Sequence, residues 1–400
     1  VEAVIQAHAQ LLVQAGYPVT VVAGQGQAAA LPEGMGFVHI PELDSRHAQI
    51  EEVSAVLEQG TVPPGFEAMA DQVATILGPV LKSFDTLIVH NVLTKHFNLP
   101  LTAALFRLLD AGIIGHGIAW CHDFTWTSPS SSAKVHPGYP WDLLRTYRPD
   151  LTYVVVSGQR QGELASLLGC PAEHIHVVYN GVDGASLLGL SVAGQALVRH
   201  LDLLSRDLVL LMPVRVTQAK NIEYALEVVA ALRARGCCPA LVVTGPPDPH
   251  DSGSMAYYRS LQALRQQLGV EEQVRFVYES GPEPGQGHIV GSEVVGDLFR
   301  VSDLMFMPSH REGFAMPVLE AGLAGIPVVC TEVPAAVEIG GPDVLLFDKD
   351  DHPDDLAARI LTQVQSDPVH RLRRRVRQNY TWQAILERDI EPLLRQGEGA

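Results

Sequence analysis

"SHREGFAMPVLEAGLAGIPVV", residues 309–329, carries two glutamates eight positions apart, Glu312 and Glu320, with Gly313 and Pro317 between them. Proline is tolerated in the first turn of a helix, where its missing N–H would have had no partner, and glycine is a natural stop. The spacing predicts a helix that starts near Ala315 to Pro317 and ends at Gly325. Apolar runs bracket it: "DLMFMPS", 303–309, and "IPVVCTE", 326–332, both read as strands.

The same alternation runs through the chain in both directions. Strands are predicted in "TLIVHN" (86–91), "GIIGHGIAWCHD" (112–123), "LTYVVVSG" (151–158) and "HIHVVYNGVD" (174–183). A second series follows in "DLVLLMPVR" (207–215), "ALVVTGPP" (240–247), "QVRFVYE" (273–279), the two runs already quoted, and "VLLF" (344–347). Strands alternating with helical stretches argue for doubly wound parallel sheets. Two tandem series predict two Rossmann-like domains, residues 1–190 and 191–379, facing each other across a cleft lined by the carboxyl ends of their strands. The stretch 184–204 reads as the link. "TWQAILERDIEPLLRQ", 381–396, reads as an amphipathic helix, within a segment of about 380–400 that could return to the first domain. At the other end, "VEAVIQAHAQLLVQAGYPVTVVAG" reads as a helix ended by Gly16 and then a strand over Pro18 to Val22. A parallel sheet ordinarily opens with a strand, so a first strand is expected to precede Val1, a true N-terminal helix being the alternative.

Composition narrows the class. Four hundred residues, 47% hydrophobic and 18% charged, suffice for two cores. A net charge of −17 repels phosphate backbones and anionic headgroups, which argues against a nucleic-acid partner and leaves room only for local basic sites. The five cysteines, Cys121, Cys170, Cys237, Cys238 and Cys330, lack metal-ligand spacing. A reducing compartment fits best. No apolar run reaches the roughly 18 residues of a membrane span and no basic-then-apolar leader is present, so the expectation is a cytoplasmic protein without a transmembrane segment.

The chemistry-bearing positions lie at strand ends. The free N–H groups at the start of the helix favour an anion such as a phosphate. Glu312 lies before it and Glu320 about one turn inside, roughly 10 Å apart on a rise of about 1.5 Å per helical and 3.3 Å per extended residue. Two carboxylates with an anion site between them suit a ligand with hydroxyls at both ends and charge in the middle, as in a nucleotide sugar. An acidic turn that only complements the helix dipole is the alternative. In "LLMPVRVTQAKN", Arg215 and Lys220 follow a buried strand, where two cations could hold a diphosphate and stabilise the charge growing on it. Solvated surface cations are the alternative there.

These residues carry a resemblance. "PVRVTQAKN", "VSDLMFMPSHREGFAMPVLEAGLAGIPVV" and "VPAAVEIGG", together with "VVYNGVD", "YTWQAI" and the opening helix and strand, are similar, in the same order, to glycosyltransferase family 4, the retaining nucleotide-sugar transferases of GT-B fold. The resemblance implies that Glu312 contacts the donor sugar, that Gly313, Phe314 and Ala315 offer backbone groups to sugar and phosphate, that Glu320 binds the ribose, and that Arg215 and Lys220 hold the diphosphate without a metal or other cofactor. Ala315 and Met316 stand where many relatives have glycine and leucine. The family's glycine-rich loop would precede Val1. The resemblance also implies an acceptor-side role for the first domain, where His122 in "AWCHDFTW" corresponds to a histidine near the reacting sugar. Asp123 follows it, and His90 and Asn91 end another strand. "HPGYPWD", 136–142, reads as a mobile loop near the acceptor, or as ordinary surface. His8, His250 and His288 have no companions at ligand spacing.

The implied reaction moves a hexose from a nucleoside diphosphate sugar to a hydroxyl acceptor, whether lipid, glycan or small molecule, with retention at the anomeric carbon. Competing readings are a nucleotide-sugar epimerase of the same architecture and a non-catalytic nucleotide-sugar-binding subunit of a glycan-assembly complex. Dinucleotide-dependent redox chemistry fits poorly, because "GQGQAAA", 24–30, lacks the third glycine of the fingerprint.

Overall fold

The computed structural model describes residues 1–32, 34–248, 250, 253–281 and 286–395. The chain divides into two compact units, Val1–Gly181 with the stretch from Trp382 onward, and Val182–Thr381. Both are α/β with parallel sheets.

In the first unit, β1 (Val19–Ala23) and β2 (Met35–His39) form a parallel pair, while β3 (Thr86–His90), β4 (His116–Cys121), β5 (Leu151–Val155) and β6 (Ile175–Val177) form a four-stranded parallel sheet in chain order. Side chains alternate between two cores, as a period of two requires. Ala119, Cys121, Tyr153 and Val155 enter one, and Ile118, Trp120 and Val154 the other. The second core is closed by Leu12 from the helix Glu2–Gln14 and by Ile385, Leu386, Ile390 and Leu393. These last come from the terminal stretch predicted as one amphipathic helix. It is instead two short α-helical pieces, Trp382–Ile385 and Glu391–Arg395, joined by a π-helical turn over Leu386–Ile390. The strand β2 had no clear signature in the sequence because Gly36 interrupts its apolar run. A Cβ there would lie 2.5 Å from Thr20 Oγ1 on the paired strand, so the glycine lets β1 and β2 approach.

The second unit holds β7 (Leu208–Met212), β8 (Pro239–Val243), β9 (Val274–Phe276), β10 (Leu304–Met307), β11 (Val328–Thr331) and β12 (Leu345–Phe347), in the order β12-β11-β10-β7-β8-β9. Every pair is parallel. The chain winds outward from β7 to β9, then crosses to the far side of β7 and winds outward again, so its direction reverses between β7 and β10. In doubly wound sheets that switch point is where ligands bind. Strand β7 is buried throughout, with Leu208, Leu210 and Met212 in one core and Val209 and Leu211 in the other.

The stretch 184–204, read from the sequence as a link, belongs to the second unit. It forms the helices Gly184–Leu187 and Val192–His200, and its Leu190, Leu197 and Val198 are buried. Ser191 anchors it: the hydroxyl caps Gly194 N and donates at 2.6 Å to the fully buried carboxylate of Asp297. Among the described residues no helix is long and apolar enough to cross a membrane.

Candidate functional site

The loops leaving β7 and β10 meet at the switch point of the second unit. His310 N donates to Ala219 O at 2.9 Å, which laces the two loops together. Beside that bond Lys220 Nζ donates to both oxygens of Glu312, at 2.7 and 2.9 Å. The Glu312 side chain is only 8% exposed and that of Lys220 22%, so the pair lies largely out of water, where charge-assisted bonds are strongest. Lys220 closes a 3-10 turn, Gln218–Lys220, and Asn221, in left-handed conformation at φ 49°, then starts the helix Ile222–Ala234.

The helix after β10 spans Met316–Ala324, with Pro317 in its first turn and Gly325 in the left-handed region at its end, as the sequence predicts. One detail differs. The left-handed residue before the helix is Ala315, at φ 59°, whereas Gly313 has no such angle. A methyl-bearing residue thus sits where glycine is easiest, and Ala315 is also buried. Val318 and Ala321 fasten the helix to the core, while Phe314, Met316 and Glu320 are exposed beside its first turn. The sequence predicts several free N–H groups here, but Pro317 has none and Val318 N donates to Ala315 O at 3.0 Å, so it is mainly the positive end of the helix dipole that makes this end receptive to an anion.

Arg215 is less bound. Its side chain is 60% exposed and 3.9 Å from Asp248. The structure therefore joins Lys220 to Glu312 and gives Arg215 a separate carboxylate neighbour. The backbone of Arg215 is nonetheless fixed, through residues that sequence reasoning missed. Gly245 N donates to Val214 O at 3.0 Å and Val216 N to Pro246 O at 3.0 Å. A Cβ on Gly245 would stand 2.5 Å from Val214 O and 2.7 Å from Arg215 Cα, so only glycine fits. The signal was "TGPP" after β8, quoted above only as the end of a strand.

In the first unit the four acceptor-side candidates do gather, at the ends of β3 and β4. Asn91, left-handed at φ 64°, accepts through Oδ1 from His122 N at 2.7 Å and Asp123 N at 3.2 Å. His90 Nδ1 lies 3.2 Å from His122 Nε2, and Asp123 accepts from Arg160 at 3.2 Å. His8, to which the sequence assigned no role, completes the group. Its ring meets Trp120 edge-on at 4.5 Å and lies 5.4 Å from that of His90. Neither His8 ring nitrogen nor Trp120 Nε1 has a hydrogen-bond partner among the described residues.

Burial holds all three imidazoles neutral. It lowers the pKa of His8 to about 4, helped by His122, and that of His90 to about 2, helped by His8 and His122. Burial lowers His122 to about 4, against the opposing pull of Asp123. The stretch 136–142, read from the sequence as a mobile loop near the acceptor or as ordinary surface, is tied to the first unit at several points. Trp141 is buried, the His136 ring sits 3.1 Å from Glu58 O, and Tyr139 meets Phe66 edge-on. Trp141 buries its ring beside Pro140, while Tyr139 stays 46% exposed. Among the described residues no group of three or more His, Cys, Asp or Glu is arranged to hold a metal ion.

The chain is similar to known glycosyltransferases. An uncharacterized glycosyltransferase of Methanocaldococcus jannaschii is 26% identical over 261 residues, 62% of this chain and 61% of that protein. A D-inositol 3-phosphate glycosyltransferase of Thermomonospora curvata is 31% identical over 254 residues, 60% of this chain and 55% of its own. The chain thus spans less than two thirds of the length of these curated relatives. Among solved structures, Anabaena HepE in complex with UDP is 18% identical, covers 94% of this chain and 99% of its own, and has a TM-score of 0.36. Residues 198–381, which hold Arg215, Lys220, Glu312 and Glu320, match the family model described as glycosyl transferases group 1.

Proposed function

We propose that the protein is a glycosyltransferase that moves a hexose from a nucleoside diphosphate sugar to a hydroxyl acceptor with retention at the anomeric carbon. The observation that carries this reading is the Lys220–Glu312 pair at the switch point, next to the N-terminal end of the helix Met316–Ala324. The group 1 match over the same residues supports it.

In this reading the diphosphate lies between the positive end of the helix dipole and the cations Lys220 and Arg215. Glu320 takes the ribose hydroxyls and Glu312 those of the hexose, with backbone groups of Gly313, Phe314 and Ala315 beside the sugar and phosphate. Arg215, exposed and held by its backbone, is free to turn from Asp248 to a phosphate. The bond from the anomeric carbon to the phosphate oxygen breaks, and the acceptor oxygen bonds to that carbon on the same face. The acceptor proton passes to the leaving diphosphate. Lys220, Arg215 and the helix end stabilise the charge that grows on that diphosphate, so the step needs no metal. In the first unit His122, His90, Asn91 and Asp123 serve the acceptor side. The five cysteines are all free, in keeping with a cytoplasmic location.

The test is incubation with a panel of nucleoside diphosphate sugars, with and without candidate hydroxyl acceptors and with a chelator in parallel. Transfer that survives the chelator and gives a product of unchanged anomeric configuration is expected. An epimerised sugar from donor alone, or inversion in the product, overturns the reading.

A further inference from the structure

The histidines that end β3 and β4 are arranged as a pair, and the pair has a direction. His90 Nδ1 and His122 Nε2 are 3.2 Å apart, and the two rings lie 23° from coplanar with centroids 5.5 Å apart. That is the geometry of an in-plane hydrogen bond between imidazoles. The other side of His90 is packed by Trp120, 26° from parallel at 5.7 Å, and by His8. Asn91 Oδ1 holds the backbone amides of His122 and Asp123, so the His122 ring is approached by a fixed partner on a fixed backbone.

Two neutral rings share a single hydrogen across this contact. If His90 supplied it, both rings would carry hydrogen on Nδ1, the less favoured tautomer of a free imidazole side chain. If His122 supplies it, both rings carry hydrogen on Nε2, the favoured form, and Nδ1 of His122 is left with a lone pair. Which nitrogen of a histidine is protonated follows from the bond that the other one makes.

We propose that His90 is a positioning residue, which accepts from His122 Nε2 and so fixes His122 as a hydrogen-bond acceptor at Nδ1, able to receive a hydroxyl of the sugar or acceptor but not to donate to it. This rests on the reading of His122 as part of the transfer site. It reassigns His90 from a group that meets the acceptor to one that acts through His122. The ligand chemistry it selects is a hydroxyl hydrogen. A substrate analogue with fluorine in place of the contacted hydroxyl offers no hydrogen and loses the contact, although its size is nearly the same.

The test uses the full chain labelled with ¹⁵N in its imidazoles, together with His90→Phe, His90→Asn and His122→Ala. In the unsubstituted protein at neutral pH, His122 Nδ1 should resonate as an unprotonated nitrogen and Nε2 as a protonated one. A protonated Nδ1 overturns the proposal. His90→Phe keeps the bulk of the ring but removes the acceptor. His122 should then populate both tautomers and kcat should fall at least tenfold, with nucleoside diphosphate affinity unchanged. His90→Asn, whose Oδ1 can stand near the place of Nδ1, should restore most of the rate and the single tautomer. A fall in thermal stability in His90→Phe with the His122 tautomer unaltered means that His90 is only packing, and overturns the positioning role. Unchanged transfer by His122→Ala removes His122 from the site, and the positioning role with it, while the tautomer measurement stands separately.

Discussion

Lys220 Nζ lies 2.7 and 2.9 Å from the two carboxylate oxygens of Glu312, a residue 92 positions later in the chain. The pair joins the loop after β7 to the loop after β10 and so holds the switch point in shape before any ligand arrives. In the proposed reaction the same ammonium faces the diphosphate. Lys220→Ala should therefore do two things: lower transfer roughly 100- to 1000-fold, as the loss of one preorganised charge commonly does, and strand a largely buried carboxylate, at about 1–3 kcal/mol of stability. Pairing it with Glu312→Gln should recover the melting temperature and not the transfer. Turnover equal to the unsubstituted protein in Lys220→Ala refutes the role given to the lysine.

The two glutamates should separate by ligand. Glu312→Ala is expected to impair recognition and transfer of the sugar while free nucleoside diphosphate still binds, because its carboxylate is assigned to the hexose. Glu320→Ala should weaken the nucleoside diphosphate itself by roughly tenfold, the loss of about one charged hydrogen-bonding contact. Calorimetric titration with nucleoside diphosphate distinguishes them. Equal loss of nucleotide affinity in both variants contradicts the division.

Much of this was legible in the sequence, for definite reasons. The buried strands of a parallel sheet are continuous apolar runs, so "DLVLLMPVR" and "DLMFMPS" contain β7 and β10, and Pro317 and Gly325 bracket their helix as its end rules require. What escaped were relations between segments distant in the chain. Nothing near Glu312 announces Lys220 as its partner, since the pairing follows from the strand order β10-β7. His8, on the first helix, looked idle because its neighbours His90 and Trp120 reach it from β3 and β4. Nothing in the sequence marks Ala315 as the left-handed residue before the helix, since glycine is the usual choice for such an angle and Gly313 stands two positions earlier. The link at 184–204 looked loose because the buried acid that anchors it, Asp297, comes about a hundred residues later.

Gly245 offers a test of positioning without touching any charged group. A methyl there would stand 2.5 Å from Val214 O and 2.7 Å from Arg215 Cα, both backbone atoms that cannot swing aside as a side chain would. Gly245→Ala should push the loop after β7 outward and displace Arg215. The expected result is a fall in transfer of roughly tenfold or more with about 1–3 kcal/mol of destabilisation, the usual cost of overpacking. Gly296→Ala is the control. It lies in the helix Ser292–Val301 of the same unit, where an added Cβ meets nothing within 4 Å, so transfer should be unchanged. Similar losses in both variants point to general fragility and against the loop argument.

The three clustered imidazoles of the first unit contribute to its acid limit, alongside His96 and His116, whose pKa values burial also lowers. His8, His90 and His122 are held neutral in the folded chain, with pKa values lowered to about 4, about 2 and about 4, first of all by burial, from an ordinary value near 6.5. The unfolded chain therefore binds more protons than the folded one wherever the pH lies below that ordinary value. Stability rises with pH under those conditions. Their contribution is complete above pH 6.5 and is lost progressively as the pH falls toward 4, by on the order of 2–3 kcal/mol from His8 alone at the lower end. The unfolding midpoint in urea should decline across that interval. His8→Phe, which fills the same space between Trp120 and His90 without a titrating group, should flatten the decline. The ring nitrogens it removes have no partners among the described residues, so the variant should also gain stability at neutral pH. An unchanged slope between pH 6.5 and 4 in His8→Phe refutes the contribution of this cluster to the acid limit.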